Sequence, residues 1–210
     1  MKRTTLRLLA VAAAAVLAGC SALPEKPVRQ TQYDFGPGTA ATQASGADLG
    51  PLLLAEVDAA GSFESTSLLY RLNYVNEHEL RPYAFARWST QPAQLVRQRL
   101  REQLGREHLV LDTEEAAALT RAGGARPRVL RIALEEFTQS FEAQTQSSGS
   151  IRLRCTLLDN TVGGEKLIGQ RVIAVQRPAP TPDAPGGVRA LAAATDAAAQ
   201  ELAAWLRQVR

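Results

Sequence analysis

Eleven consecutive apolar positions, Leu8 to Ala18, follow a positively charged Met1–Arg7 segment. That run is shorter than the ~20 residues a membrane-crossing helix needs, and with its basic flank it has the form of an export signal. Past a polar, Pro-containing stretch from Ser21 to Gln30, the pattern becomes that of a folded domain. Thr31 to Phe35 is expected to be a short edge strand, and Gly36 to Gly50 reads as a loop rich in small residues. Leu52–Ala59 and Ser67–Val75 read as strands, with Leu68, Tyr70, Leu72 and Tyr74 alternating with Leu69, Arg71, Asn73 and Val75. Asn76–Arg81 reads as a polar turn, and Pro82–Trp88 as a third strand with a bulge or an end near Trp88, so a hairpin is expected.

From Ser89 the period lengthens. Pro92 suits a first helical turn, and Leu95, Val96, Arg99, Leu100 and Leu104 trace one face up to Gly105. His108–Leu111 is expected to be a short strand, and Asp112-Thr-Glu-Glu115 a capped start for a brief helix through Arg121, closed by Gly123-Gly124. Three strands follow at Arg128–Phe137, Ser150–Leu158 and Lys166–Gln176, the last two joined through Gly163-Gly164, and a meander is expected. Gln144–Gly149 reads as a long loop, and Arg177–Gly187 as a Pro-rich one. Val188, Leu191, Thr195, Ala198, Leu202, Trp205 and Val209 define a closing helix, whose alanines permit close approach to a sheet. The sum is α+β: a mostly antiparallel sheet with two main helices packed on one face.

Charge changes the picture little. The chain holds 24 Lys and Arg against 21 Asp and Glu, but Lys2, Arg3 and Arg7 lie in the signal, which leaves 21 against 21 in the exported part. No basic run remains to neutralise phosphates, so nucleic-acid binding is excluded as a function class. The cysteines are more informative. Leu17-Ala18-Gly19-Cys20 resembles the bacterial lipobox, which makes Cys20 the expected lipidation site, with diacylglycerol and an N-acyl chain such as palmitate. Ser21 in place of Asp points by the same resemblance to the outer membrane, periplasmic face. Extended at ~3.3 Å per residue, Ser21–Gln30 reaches about 33 Å and can hold a domain clear of the bilayer. Cys155 alternates with Ile151, Leu153 and Leu157 and reads as a core thiol.

Enzyme chemistry finds no foothold. His78 and His108 lack metal-ligand spacing, no G-x-S-x-G elbow or phosphate-binding G-x-x-x-x-G-K-[ST] loop occurs, and Glu135-Glu136 on a strand should point to opposite faces. Gly186-Gly187 before a helix admits either an anion site or a plain loop. Arg71 and the Arg87-Trp88 pair fit a partner contact or arginine stems covering a sheet edge.

Ser67-Leu-Leu-Tyr70-Arg71, Tyr83-Ala-Phe-Ala-Arg87-Trp88, Pro92 with Leu95 and Leu100, Leu134-Glu-Glu-Phe-Thr-Gln139, and Ala190-Leu191 with Trp205-Leu206 together resemble the ABC-type transport auxiliary lipoproteins. The resemblance runs from about Tyr33 to Leu206. It implies a signal over 1–19, a lipidated tether and loop over 20–50, and an auxiliary domain over 51–210. It implies a non-enzymatic protein without cofactor, on the outer membrane, serving an ABC-transporter or MCE-type system that moves lipid or another hydrophobic solute. The implied partners are the membrane and an MCE-type or transporter-associated periplasmic protein, and a homo-oligomer is compatible. Tyr70, Arg71, Tyr83, Arg87 and Trp88 are the expected partner contacts. The alternative from a different class is a lipid carrier with a pocket between the sheet and the last helix.

Overall fold

A single sixteen-residue strand, Arg128–Ala143, organises the molecule, which is described from a computed structural model over residues 29–38, 49–59 and 61–209. In chain order the elements are β1 (Thr31–Tyr33), β2 (Pro51–Ala59), β3 (Ser67–Leu72), α1 (Asn73–Asn76), β4 (Glu77–Trp88), α2 (Pro92–Leu104), β5 (Leu109–Leu111), α3 (Thr113–Arg121), β6 (Arg128–Ala143), β7 (Gln146–Thr161), β8 (Gly164–Pro178) and α4 (Ala184–Gln208). The expected signal, Cys20 and most of the expected tether lie outside the described residues.

One edge of β6 is paired along its length with β7, which in turn pairs with β8, all antiparallel. The other edge is shared: β2 runs parallel to its first half and β3 parallel to its second. β5 extends the sheet beyond β2, and β4 and then β1 extend it beyond β3. The α+β class is as expected, as are the closing meander and the β3–β4 hairpin. Periodicity does not reveal the parallel pairings. The β5–α3–β6 connection is a helix-bearing crossover past β2, so β5 and β6 both run parallel to that strand.

Local chemistry explains the helix starts. Asp112 accepts from the Glu115 backbone N–H at 2.9 Å while the Glu115 carboxylate accepts from the Asp112 N–H at 2.8 Å, a reciprocal cap that begins α3. At α4 the Asp183 carboxylate accepts from the Gly186 N–H at 2.8 Å, so the helix starts at Ala184 rather than Val188. The hydrogen bonds from Thr181 and this N–H hold the Asp183 carboxyl below its ordinary range. Gly186 and Gly187 are therefore helical, and neither the loop nor the anion-site reading survives. A Cβ on Gly186 would collide with the Thr181 carbonyl oxygen, and one on Gly187 with the Gln139 side-chain amide. Gly187 lets α4 seat on β6, and Gly186 makes room for the preceding Thr181 turn.

Three further features differ from expectation for physical reasons. Asn76–Arg81 is not the turn: α1 turns the chain, and β4 begins at Glu77, its polar residues standing on an exposed ribbon where Arg81 pairs with Glu79 at 2.6 Å. Gln144–Gly149 is not a long loop, because β7 begins at Gln146 and only Gln144–Thr145 connect it to β6. Ser147 and Ser148 are buried there, Ser147 Oγ accepting from Gln139 Nε2 at 2.9 Å. The third is a bulge between Leu134 and Glu136, which turns Glu135 and Glu136 toward Arg154 and Arg152, neighbours on one face of β7. The expected opposition of the two acids is thus lost, yet each meets an arginine, at 2.5 Å and 3.9 Å, so they form no unneutralised carboxylate pair.

α4 lies across β7 and β8, and α2 packs beside it and on β2. Leu191, Ala194, Ala198 and Leu202 of α4 meet the buried row Ile151, Leu153, Cys155 and Leu157. A second centre is aromatic: Trp88 stands edge-on to Phe35 at 5.7 Å and tilted against Phe137 at 5.4 Å.

Candidate partner-contact site and lipid anchor

The five side chains expected to form one contact surface have different fates. Trp88 is 1% exposed within the aromatic core and is withdrawn as a surface anchor, because alternation on β4 sends it inward with Ala86 while Phe85 and Arg87 face out. Tyr70 and Tyr83 pack with tilted rings whose centres are 4.6 Å apart, and Tyr70 also meets Phe141 edge-on at 6.0 Å. The Tyr83 hydroxyl donates to Gln139 Oε1 at 2.9 Å, and Gln139 Nε2 donates to Ser147 Oγ and, at 3.2 Å, to the Asp183 carbonyl. Burial, with the nearby Tyr70 and Asp183, raises the Tyr83 pKa, so this phenol stays a donor. The pair therefore links the hairpin to β6, β7 and the start of α4. Arg71 turns back on its own hairpin and donates to the Glu77 carbonyl at 3.2 Å. Only Arg87 is fully outward. The structure does not bring the five together as an exposed patch.

Gln139 was not singled out by the sequence, although it is fully buried and joins four elements. A polar residue inside a strand pattern carries no sign of its partners until the sheet and α4 meet. Phe85, 58% exposed, was likewise missed as an outward residue. No acid meets Arg71 or Arg87 in an ion pair among the described residues, and Glu56 is held by Arg97 at 3.4 Å.

The two histidines stand apart. His78 is exposed, 3.7 Å from Glu77, while half-buried His108 sets Nδ1 3.3 Å from the Gly50 carbonyl oxygen. Burial pushes the His108 pKa down. Among the described residues no three His, Cys, Asp or Glu side chains gather as a metal site, and no helix is long and apolar enough to cross a membrane.

Cys155 is completely buried, and burial pushes its thiol up to about 12, with Arg171 opposing only in part. Thiolate is the reactive form, so Cys155 is expected to resist maleimide or bis-disulfide reagents in native buffer and to react promptly in denaturant. Rapid native labelling would overturn its burial.

Solved structures share this fold. The chain is similar to protein XCC0632 from Xanthomonas campestris, of family DUF330, with 20% identity and a TM-score of 0.61, covering 86% of this chain and 94% of that one. It is similar to an uncharacterized protein at 16% identity and a TM-score of 0.58, covering 87% of this chain and 99% of that one. At these identities the likeness shows fold alone. No curated protein matches the chain. A family model described as the ABC-type transport auxiliary lipoprotein component matches residues 33–203, from β1 into the last turns of α4. With that span covering most of the chain, from the end of β1 through most of α4, the chain belongs to the family of ABC-type transport auxiliary lipoprotein components.

Proposed function

We propose that this protein is a non-catalytic docking component, tethered by lipid at Cys20 to the periplasmic face of the outer membrane. It would hold the periplasmic end of an ABC-transporter or MCE-type system that moves lipid or another hydrophobic solute. The observation that carries docking over lipid carriage is the closeness of α4 to β7. A Cβ on Gly149 would lie 2.6 Å from the Leu191 nitrogen and 2.8 Å from the Ala190 carbonyl carbon. Backbone thus meets backbone where a carrier of this design would keep its pocket. Along the same contact Leu153, Cys155, Leu191, Ala194, Ala198 and Leu202 are fully buried. Interiors packed this densely have no room for an acyl chain without moving a helix.

Family membership supports the transport association, and the lipobox resemblance supports the anchor. The protein has no cofactor in this reading beyond the covalent lipid. The test is a pull-down with the full chain in detergent, using the periplasmic region of the transport protein encoded beside it, together with organic extraction of the purified chain. A stable complex and no stoichiometric phospholipid is the expected result. Bound phospholipid without a complex would replace docking by carriage.

A further inference from the structure

The outermost strands of the sheet are unequal. β1 and β5 have three residues each, whereas β8 has fifteen and pairs only with β7. A long unpaired edge is a template for another strand, and folded proteins usually shorten or cover such edges. β8 is neither short nor, among the described residues, covered by a further strand. Its side chains are mostly exposed, and two of them are large and apolar: Leu167 at 60% and Val172 at 48%.

Charge selects the occupant. β8 carries Lys166, Arg171 and Arg177 and one acid, Glu165, which Arg131 already holds at 2.7 Å. None of the three cations forms an ion pair among the described residues. Asp159, across from Lys166 in register, is not within ion-pair distance of it. The arginines on neighbouring β7, Arg152 and Arg154, are occupied by Glu136 and Glu135. A second copy is a poor occupant, because antiparallel pairing across the strand midpoint sets Arg171 against Arg171. An acidic strand meets the opposite situation, with main-chain hydrogen bonds along the edge, apolar side chains beside Leu167 and Val172, and carboxylates beside the three cations.

We propose that the free edge of β8 is a docking site at which a protein partner adds an extended, acidic strand. This deepens the docking reading and rests on it for the existence of a protein partner. The edge supplies affinity through backbone bonds that any sequence can make, and the cations supply discrimination, since like charge opposite them is rejected.

The experiment uses the full chain in detergent, an alternating Glu–Val decapeptide as probe, its Lys–Val counterpart as control, and amide hydrogen exchange as readout. The acidic peptide is expected to slow exchange in β8 at least tenfold and the basic one to leave it unchanged. The Lys166→Glu, Arg171→Glu, Arg177→Glu variant is expected to invert that preference, and Arg171→Glu alone to weaken the acidic peptide if the triple change impairs folding. Three outcomes would overturn the proposal: no protection of β8 at millimolar peptide, equal protection by both peptides, or protection that depends on protein concentration without peptide. In the transport-partner pull-down, undiminished capture by the well-folded triple variant would reject the β8 site while leaving docking intact. Peptide protection of β8 without any transport-protein complex would uphold the site and reject that docking role.

Discussion

Trp88→Ala is expected to destabilise the domain by about 3–5 kcal/mol, the range for removing a large buried aromatic. The ring is 1% exposed and touches Phe35 and Phe137, so its loss opens a cavity at the join between β1, β4 and β6. Collapse into that cavity is limited, because Phe35 is also held from above by Arg99, whose guanidinium carbon is 5.9 Å from the ring centre and whose Nη2 donates to the Phe35 carbonyl at 2.8 Å. At ~2–4 °C per kcal/mol for a chain of this size, the melting temperature should fall by roughly 6–20 °C. Circular dichroism melts on Trp88→Ala and on Arg87→Ala separate a core role from a surface one. The neighbour is exposed and should shift the melt by no more than ~0.5 kcal/mol. A Trp88→Ala protein that melted with the parent would refute the burial. A binding defect in that variant is therefore evidence about folding, not about a contact.

Cys20→Ser is expected to abolish membrane attachment altogether. Attachment in this reading rests on the acyl chains, each methylene contributing ~0.8 kcal/mol, while no described helix can cross a bilayer. The hydroxyl of serine cannot replace the thiol that receives the diacylglyceryl group. Labelled palmitate should be absent from the variant, and the protein should leave the membrane pellet. Palmitate incorporation by Cys20→Ser, with fractionation still in the outer membrane, would defeat the assignment. Cys155 offers no second site, since its thiol is buried and held protonated.

The closing meander, the hairpin, the capped start of α3 and the burial of Cys155 are set by local chemistry and were legible in the sequence. Two-residue alternation defines a half-buried strand and a Ser, Thr or Asp followed by Glu defines a helix start, whatever the rest of the chain does. The family, too, could be read from ordered patches of strand and helix, and its model spans residues 33–203. The lipobox resemblance at Cys20 is linear in the same way, and its test is the palmitate labelling above.

Tertiary structure alone decided the rest, because each of those features depends on residues far apart in sequence. Trp88 reads as a candidate surface aromatic until Phe35, just past β1, and Phe137 of β6 close over it. Gly149 and Gly187 look like loop residues, and their true role, clearance between α4 and the sheet, exists only once helix and sheet meet. Gln139 acquires its partners from β4, β7 and the α4 cap at separations of 56, 8 and 44 residues. The sharing of one β6 edge between β2 and β3 follows from crossovers, not from periodicity. β8 is the sharpest case. Its sequence specifies a strand, but whether a strand is central or at the edge is fixed by what pairs beside it, and that placement leaves Lys166, Arg171 and Arg177 along an open edge.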